Sequence, residues 1–139
     1  MAVYNKFDQF VRDMVGGKHD FTADTFKVML TNTAPTASNQ IKSDLTEIAA
    51  GNGYAAGGTA SAMTVSVASG IAKVVGANVV FTATGAVGPF QYAVLYNDTQ
   101  TSPAKPLIAW WDYGTSITMS ASETFTVAFD ATNGIYTMQ

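Results

Sequence analysis

The chain contains no cysteine. That removes a disulfide framework, a thiolate zinc site and a thiol nucleophile together, and it suits folding in a reducing compartment. Histidine is almost as scarce. His19 is the sole one, so no multi-histidine metal site or His pair can form. Charge is thin as well: Asp, Glu, Lys and Arg make up 12% of the residues, against about 25% in an ordinary soluble domain. A chain this poor in charge either keeps much of its surface covered in an assembly or is solubilised by neutral hydroxyl and amide groups. Its abundant Thr, Ser and Asn keep both readings open.

The remaining absences exclude whole classes of partner. The seven Lys and Arg residues are scattered from Lys6 to Lys105 in a chain of net charge −3. Nucleic-acid binding needs a cationic stripe that displaces counterions from phosphates, and none is present. No apolar run approaches the roughly 18 residues of a membrane helix. The first ten residues contain Asp8 and no continuous apolar core, so they do not read as a secretory signal.

What is present is 139 residues with 47% apolar side chains, enough for one domain over residues 1–139 that buries its own core. Val3, Tyr4, Phe7, Val11, Met14 and Val15 recur at helical spacing. They predict an amphipathic helix over 3–15, stopped by Gly16-Gly17, with Phe10 between its two faces. The period then changes to two. Phe26, Val28 and Leu30 point one way along 25–31, and Lys27 and Met29 the other. Asn32 to Ser43 reads as a loop, Asp44 with Glu47 resembles a capping box, and Gly51-Asn52-Gly53 marks a tight turn.

Further strands are expected at about 61–68, 71–75, 78–84, 90–96, 106–113, 115–119, 123–130 and 134–138. Ser69-Gly70, Gly76, Gly85, Gly88-Pro89, Asn97-Asp98, Gly114 and Asn133-Gly134 separate them. Many short strands without intervening helices predict a mostly β, single-domain, jelly-roll-like sandwich or barrel over 25–138, with the helix at its N-terminus.

Catalytic chemistry finds little footing. His19 follows Gly16-Gly17-Lys18, which predicts an exposed loop with no oriented partner. No Gly-x-Ser-x-Gly elbow or phosphate-loop lysine occurs. Asp112 and Glu123 are the best candidates for a hydrolytic carboxylate pair. Asp130-Ala131-Thr132-Asn133-Gly134 reads as an Asx-type turn rather than a calcium loop. The expectation is therefore a non-enzyme without metal or cofactor. Strict alternation in Leu107–Tyr113 puts Leu107, Ala109, Trp111 and Tyr113 on one face and Ile108, Trp110 and Asp112 on the other. An exposed tryptophan there would anchor a protein or a sugar ring. The residues singled out for partner contact are Tyr4, Phe7 and Val11 on the helical stripe, with Trp110 and Asp112 on the aromatic strand.

The strings TFKVMLTNTAPTASN (25–39), TEIAAGNGY (46–54), VGPFQYAVLYNDT (87–99), WWDYG (110–114) and TFTVAFDATNGI (124–135) resemble a family of small virion proteins of tailed bacteriophages. The resemblance covers most of the chain but not residues 59–80. It implies a jelly-roll-like head decoration, or cement, protein that stabilises the capsid through non-covalent contacts with the major capsid protein. It also implies synthesis in the host cytoplasm and residence on the capsid surface. Sparse charge adds the expectation of a homotrimer or homodimer, which can straddle a symmetry axis of a shell. The alternative is a tail-fibre or tail-tip module that binds a host receptor or glycan.

Overall fold

The computed structural model describes residues 2–139. The chain is mostly β. In order it forms β1 (Val3–Lys6), α1 (Asp8–Val15), β2 (Phe26–Thr31), a 3-10 turn (Lys42–Asp44), β3 (Thr59–Ser61), β4 (Met63–Ala68) and β5 (Ile71–Gly76). There follow β6 (Val79–Thr82), β7 (Val87–Asn97), β8 (Leu107–Met119), β9 (Thr124–Val127) and β10 (Tyr136–Met138). All pairings between strands are antiparallel. They build a five-stranded sheet in the order β1-β8-β7-β2-β3, a three-stranded sheet β10-β5-β4 and a pair β6-β9.

The main core lies between the five-stranded sheet and the two smaller ones. Phe26, Val28, Leu30, Ala93 and Leu95 supply it from one side, and Val74, Val79, Phe81, Val127 and Phe129 from the other. A second, smaller core covers the opposite face of the large sheet, where Met29, Val94, Tyr96 and Leu107 are sealed by Phe7 and Leu45. This explains why β2 carries bulky apolar residues at both parities: the sheet is buried on both sides.

The N-terminal helix is shorter than its period suggested. Residues 3–6 form an edge strand, with Tyr4 opposite Trp111 and Lys6 opposite Ala109, and only Asp8–Val15 is helical. The open edge of β8 offers a ladder of backbone partners to Val3–Lys6, whereas an isolated helix of this length is marginal in water. The inward residues of α1 are Phe10, Asp13 and, in part, Met14, while Val11 and Val15 face solvent. Gly16 and Gly17 end the helix as expected, their N–H groups donating to Arg12 and Met14 carbonyls.

Two other readings need correction. Gly114 does not end a strand, since β8 continues to Met119, but it marks an irregularity: its φ is +96°, and residues 113–116 stand opposite Gln91 alone between the pairs Tyr92–Asp112 and Phe90–Ile117. His19 is buried rather than exposed. Asn97 accepts the N–H groups of Thr99 and Gln100 at Oδ1, so its Nδ2 amide is turned toward Asp24 Oδ2 (2.7 Å), the Lys18 carbonyl (3.3 Å) and His19 Nδ1 (3.3 Å). Burial lowers the His19 pKa to about 4, against the opposing pull of Asp13 and Asp24.

The motif over 46–54 forms a polar knot. Glu47 Oε1 accepts from the Tyr54 hydroxyl (2.7 Å) and the Gly57 N–H (2.6 Å), and its Oε2 accepts from Lys42 Nζ (2.7 Å). Asp44 caps the preceding turn alone, accepting from the N–H groups of Gln40 and Ile41. Glu47 therefore serves the loop, not a capping box. Gly51 and Tyr54 exchange backbone hydrogen bonds across the expected tight turn. At Gly58 a Cβ would stand 1.8 Å from the Val28 carbonyl oxygen, so only glycine lets this loop lie on the sheet.

Candidate functional site: an aromatic groove between two strand edges

One register irregularity decides which tryptophan faces what. Leu95 sits opposite Ala109, but Tyr96 sits opposite Leu107, so Ile108 is an extra residue on β8. Such a bulge reverses the alternation on either side of it. Leu107 and Trp110 consequently share the outer face with the smaller core, while Ala109 and Trp111 share the main-core face. Strict alternation had put Leu107 with Trp111, and that assignment is overturned.

Beyond Ala93 and Trp111 the main-core face opens into a groove of about 710 Å³. Its walls come from β1 (Tyr4), β7 (Gln91), β8 (Trp111, Tyr113), β9 and the segment after it (Phe125 to Asp130). The aromatic rings meet edge to face. Tyr4 lies 5.7 Å from Trp111, Trp111 5.3 Å from Phe129, and Tyr113 5.6 Å from Phe125, centroid to centroid. These contacts fix the rings in place while Tyr4 and Tyr113 remain 40% and 52% exposed. Burial of the rest of Tyr4 pushes its phenol pKa up to about 12, so the group is a neutral donor at any physiological pH.

The groove is also bordered by unpaired backbone. The Ala83 N–H donates to the Glu123 carbonyl, which sets the phase of the β6–β9 ladder. Phe125 and Val127 bond to β6, and the backbone groups of Thr124, Thr126 and Ala128 point away from it. On the opposite wall the Phe7 N–H donates to the Ile108 carbonyl. By the same alternation Val3 and Asn5 bond to β8, and the backbone groups of Ala2, Tyr4 and Lys6 point outward. Ala2, Tyr4, Thr126 and Ala128 all line the groove.

The residues picked from the sequence are scattered around this groove. Tyr4 forms one of its walls. Phe7 is fully buried, its ring 4.5 Å from Trp110 in the smaller core, and has no surface to offer a partner. Trp110 is half-buried on the outer face beside it. Val11 is exposed on the solvent side of α1. Asp112 Oδ1 accepts from Gln91 Nε2 (2.9 Å) and the Gly114 N–H (2.7 Å). Glu123, its supposed hydrolytic partner, accepts the Ser120 N–H. Asp130 closes the expected Asx turn, accepting from the N–H groups of Thr132 and Asn133.

Trp111, Tyr113, Gln91 and the Phe125–Phe129 wall were missed. The alternation of Phe125, Val127 and Phe129 was visible in the sequence, but not that its end would stand opposite Trp111. Among the described residues, no group of three or more His, Asp and Glu side chains could hold a metal ion, and no helix is long and apolar enough to cross a membrane. No protein-family model, curated protein or solved structure matches the chain.

Proposed function

We propose that this protein is a non-catalytic bacteriophage head decoration protein that grips an extended segment of the major capsid protein in the groove between β1 and β9. The observation that carries the reading is the pairing of aromatic walls with unpaired strand edges. Backbone groups at Thr126 and Ala128 supply main-chain hydrogen bonds to an added strand, and Trp111, Tyr4 and Phe129 supply the apolar contact. The amide and the carboxylate at the groove, Gln91 and Asp130, are already hydrogen-bonded within the fold, which favours holding a ligand over transforming it. The 12% charge content suits a surface that is permanently covered.

The pairs β7–β8, β6–β9 and β5–β10 nest one inside the next along the chain. That winding supports reading the sandwich as jelly-roll-like. In this proposal the protein is made in the host cytoplasm and resides on the capsid surface.

Purified particles test the proposal. Hundreds of copies per head are expected, and heads stripped of the protein should rebind it but not a folded Trp111→Ala variant. A handful of copies per particle, or undiminished rebinding by Trp111→Ala, overturns it. The exposed Tyr4 and Tyr113 rings favour one second reading, a tail module that stacks a glycan ring. Glycan binding lost in Trp111→Ala, together with tail-level copy number, is its signature.

A further inference from the structure

The β4–β5 hairpin stands out from the body as an arm. Every residue of β4 from Thr64 to Ala68 is exposed, and its tip turns through Ser69 (φ 51°) and Gly70 (φ 77°). Positive φ at both positions is the geometry of a two-residue type I′ hairpin. The Ala77 N–H donates to the Ala62 carbonyl, which sets the phase of the ladder. Thr64, Ser66 and Ala68 bond to β5, and the backbone groups of Met63, Val65 and Val67 face outward. β4 is the last strand of its sheet.

Sheet edges are ordinarily blunted by lysine, proline, a bulge or a covering segment. This one has none of these. Its pairing with β5 runs without a register shift from Met63 to Ala68. The 25 residues between Glu47 and Lys73 contain no charge and no proline. Within β4 the side chains alternate between two faces, and Ala68, Ile71 and Val75 join the face of Thr64 and Ser66. Val65 and Val67 share a face with Ala72, Val74 and Met138, and Thr64 and Ser66 share the other with Lys73. Val67 is 71% exposed and Met138 55%. The apolar face thus continues past the end of the core into solvent.

We propose that β4 pairs with β4 of a second copy of this chain, antiparallel across a two-fold axis centred on Val65. In that register Val65 faces Val65 of the second copy, Met63 faces its Val67, and Thr64 faces its Ser66. The outward-pointing backbone groups of Met63, Val65 and Val67 all find partners. Valines and methionine stay on one face and hydroxyls on the other, so neither face is mismatched, and no charge meets its like. The strand is self-complementary, as an isologous contact must be. The two three-stranded sheets merge into one, and the exposed apolar strips of both copies become one continuous band. This contact is separate from the β1–β9 groove and does not depend on what the groove holds.

The absence of native cysteine makes the test direct. The unmodified protein should sediment at twice 14.6 kDa at tens of micromolar. Facing Cα atoms of a hydrogen-bonded antiparallel pair lie about 5.5 Å apart, within disulfide reach, so oxidised Val65→Cys should run as a covalent dimer. Ser66→Cys should not, because Ser66 faces Thr64 of the second copy. Val65→Lys sets two ammonium groups against each other, and Val65→Pro removes an outward donor without touching the β4–β5 ladder. Both should be monomers whose circular dichroism matches the unmodified protein. A monomer at all concentrations overturns the proposal. So does a dimer that survives Val65→Lys and Val65→Pro, or a disulfide that forms from Ser66→Cys and not from Val65→Cys.

Discussion

Tyr54 donates its hydroxyl hydrogen to Glu47 Oε1 across 2.7 Å while accepting the N–H of Leu30 at 3.0 Å. A single phenol therefore ties the loop after β2 to the stretch of β2 that β3 leaves unpaired. Burial raises the Tyr54 pKa above its usual value, so the donor stays protonated. Tyr96 completes the tie from the neighbouring strand by donating to the Gly57 carbonyl at 2.6 Å.

Glu47→Ala leaves three donors, on Tyr54, Gly57 and Lys42, without their acceptor. The expected cost is about 2–4 kcal/mol, measured by urea unfolding, because partly buried donors lose a charged acceptor. Glu47→Gln keeps an acceptor oxygen and should cost less than half as much.

His19 should make stability depend on pH. Its folded pKa of about 4 lies below its ordinary 6.5, so between these values the unfolded chain binds the proton and the folded chain does not. The contribution is full above about pH 6.5 and is lost as pH falls toward 4. The loss is on the order of 3 kcal/mol, the opposing pull of Asp13 and Asp24 being already contained in that folded value. Melting temperature recorded between pH 7 and 4 should fall. His19→Gln should flatten that part of the profile.

The two tryptophans should separate stability from binding. Trp110→Ala removes the ring that packs on Phe7 and should destabilise the fold by about 2–3 kcal/mol while leaving groove binding intact in the folded fraction. Trp111→Ala should weaken groove binding at least tenfold with a smaller shift in melting temperature.

Removing residues 1–17 should leave the protein insoluble. The truncation deletes β1 and the fully buried Phe7 and Phe10, uncovering both faces of the large sheet. Each buried phenylalanine contributes about 2–3 kcal/mol. Expression followed by sizing decides it: a soluble, β-rich, cooperatively melting product would contradict the packing seen here.

Much of the fold could be read from the chain because its strands follow period two and its turns use glycine and asparagine. β2, β5, β7 and β9 lie within a few residues of their expected places. What local pattern could not supply was competition between partners. Val3 and Tyr4 fit a helix by spacing, yet the unpaired edge of β8 claims them. His19 looks like a loop residue until Asn97, brought in from β7, closes over it. The groove was least accessible of all, because its walls come from both ends of the chain and from a bulge that no period announces.

That bulge at Ile108 has an evolutionary consequence. A point substitution can change what either tryptophan is, but not which way it looks. Nor does losing the extra residue turn them: with Ile108 deleted, Leu107, Ala109, Trp110 and Trp111 alternate outward, inward, outward and inward, so Trp110 still faces out opposite Val94 and Trp111 still faces in opposite Ala93. The bulge can therefore be lost in descendants of this protein without turning the groove over, and diversification of the groove should be recorded in the residues that line it.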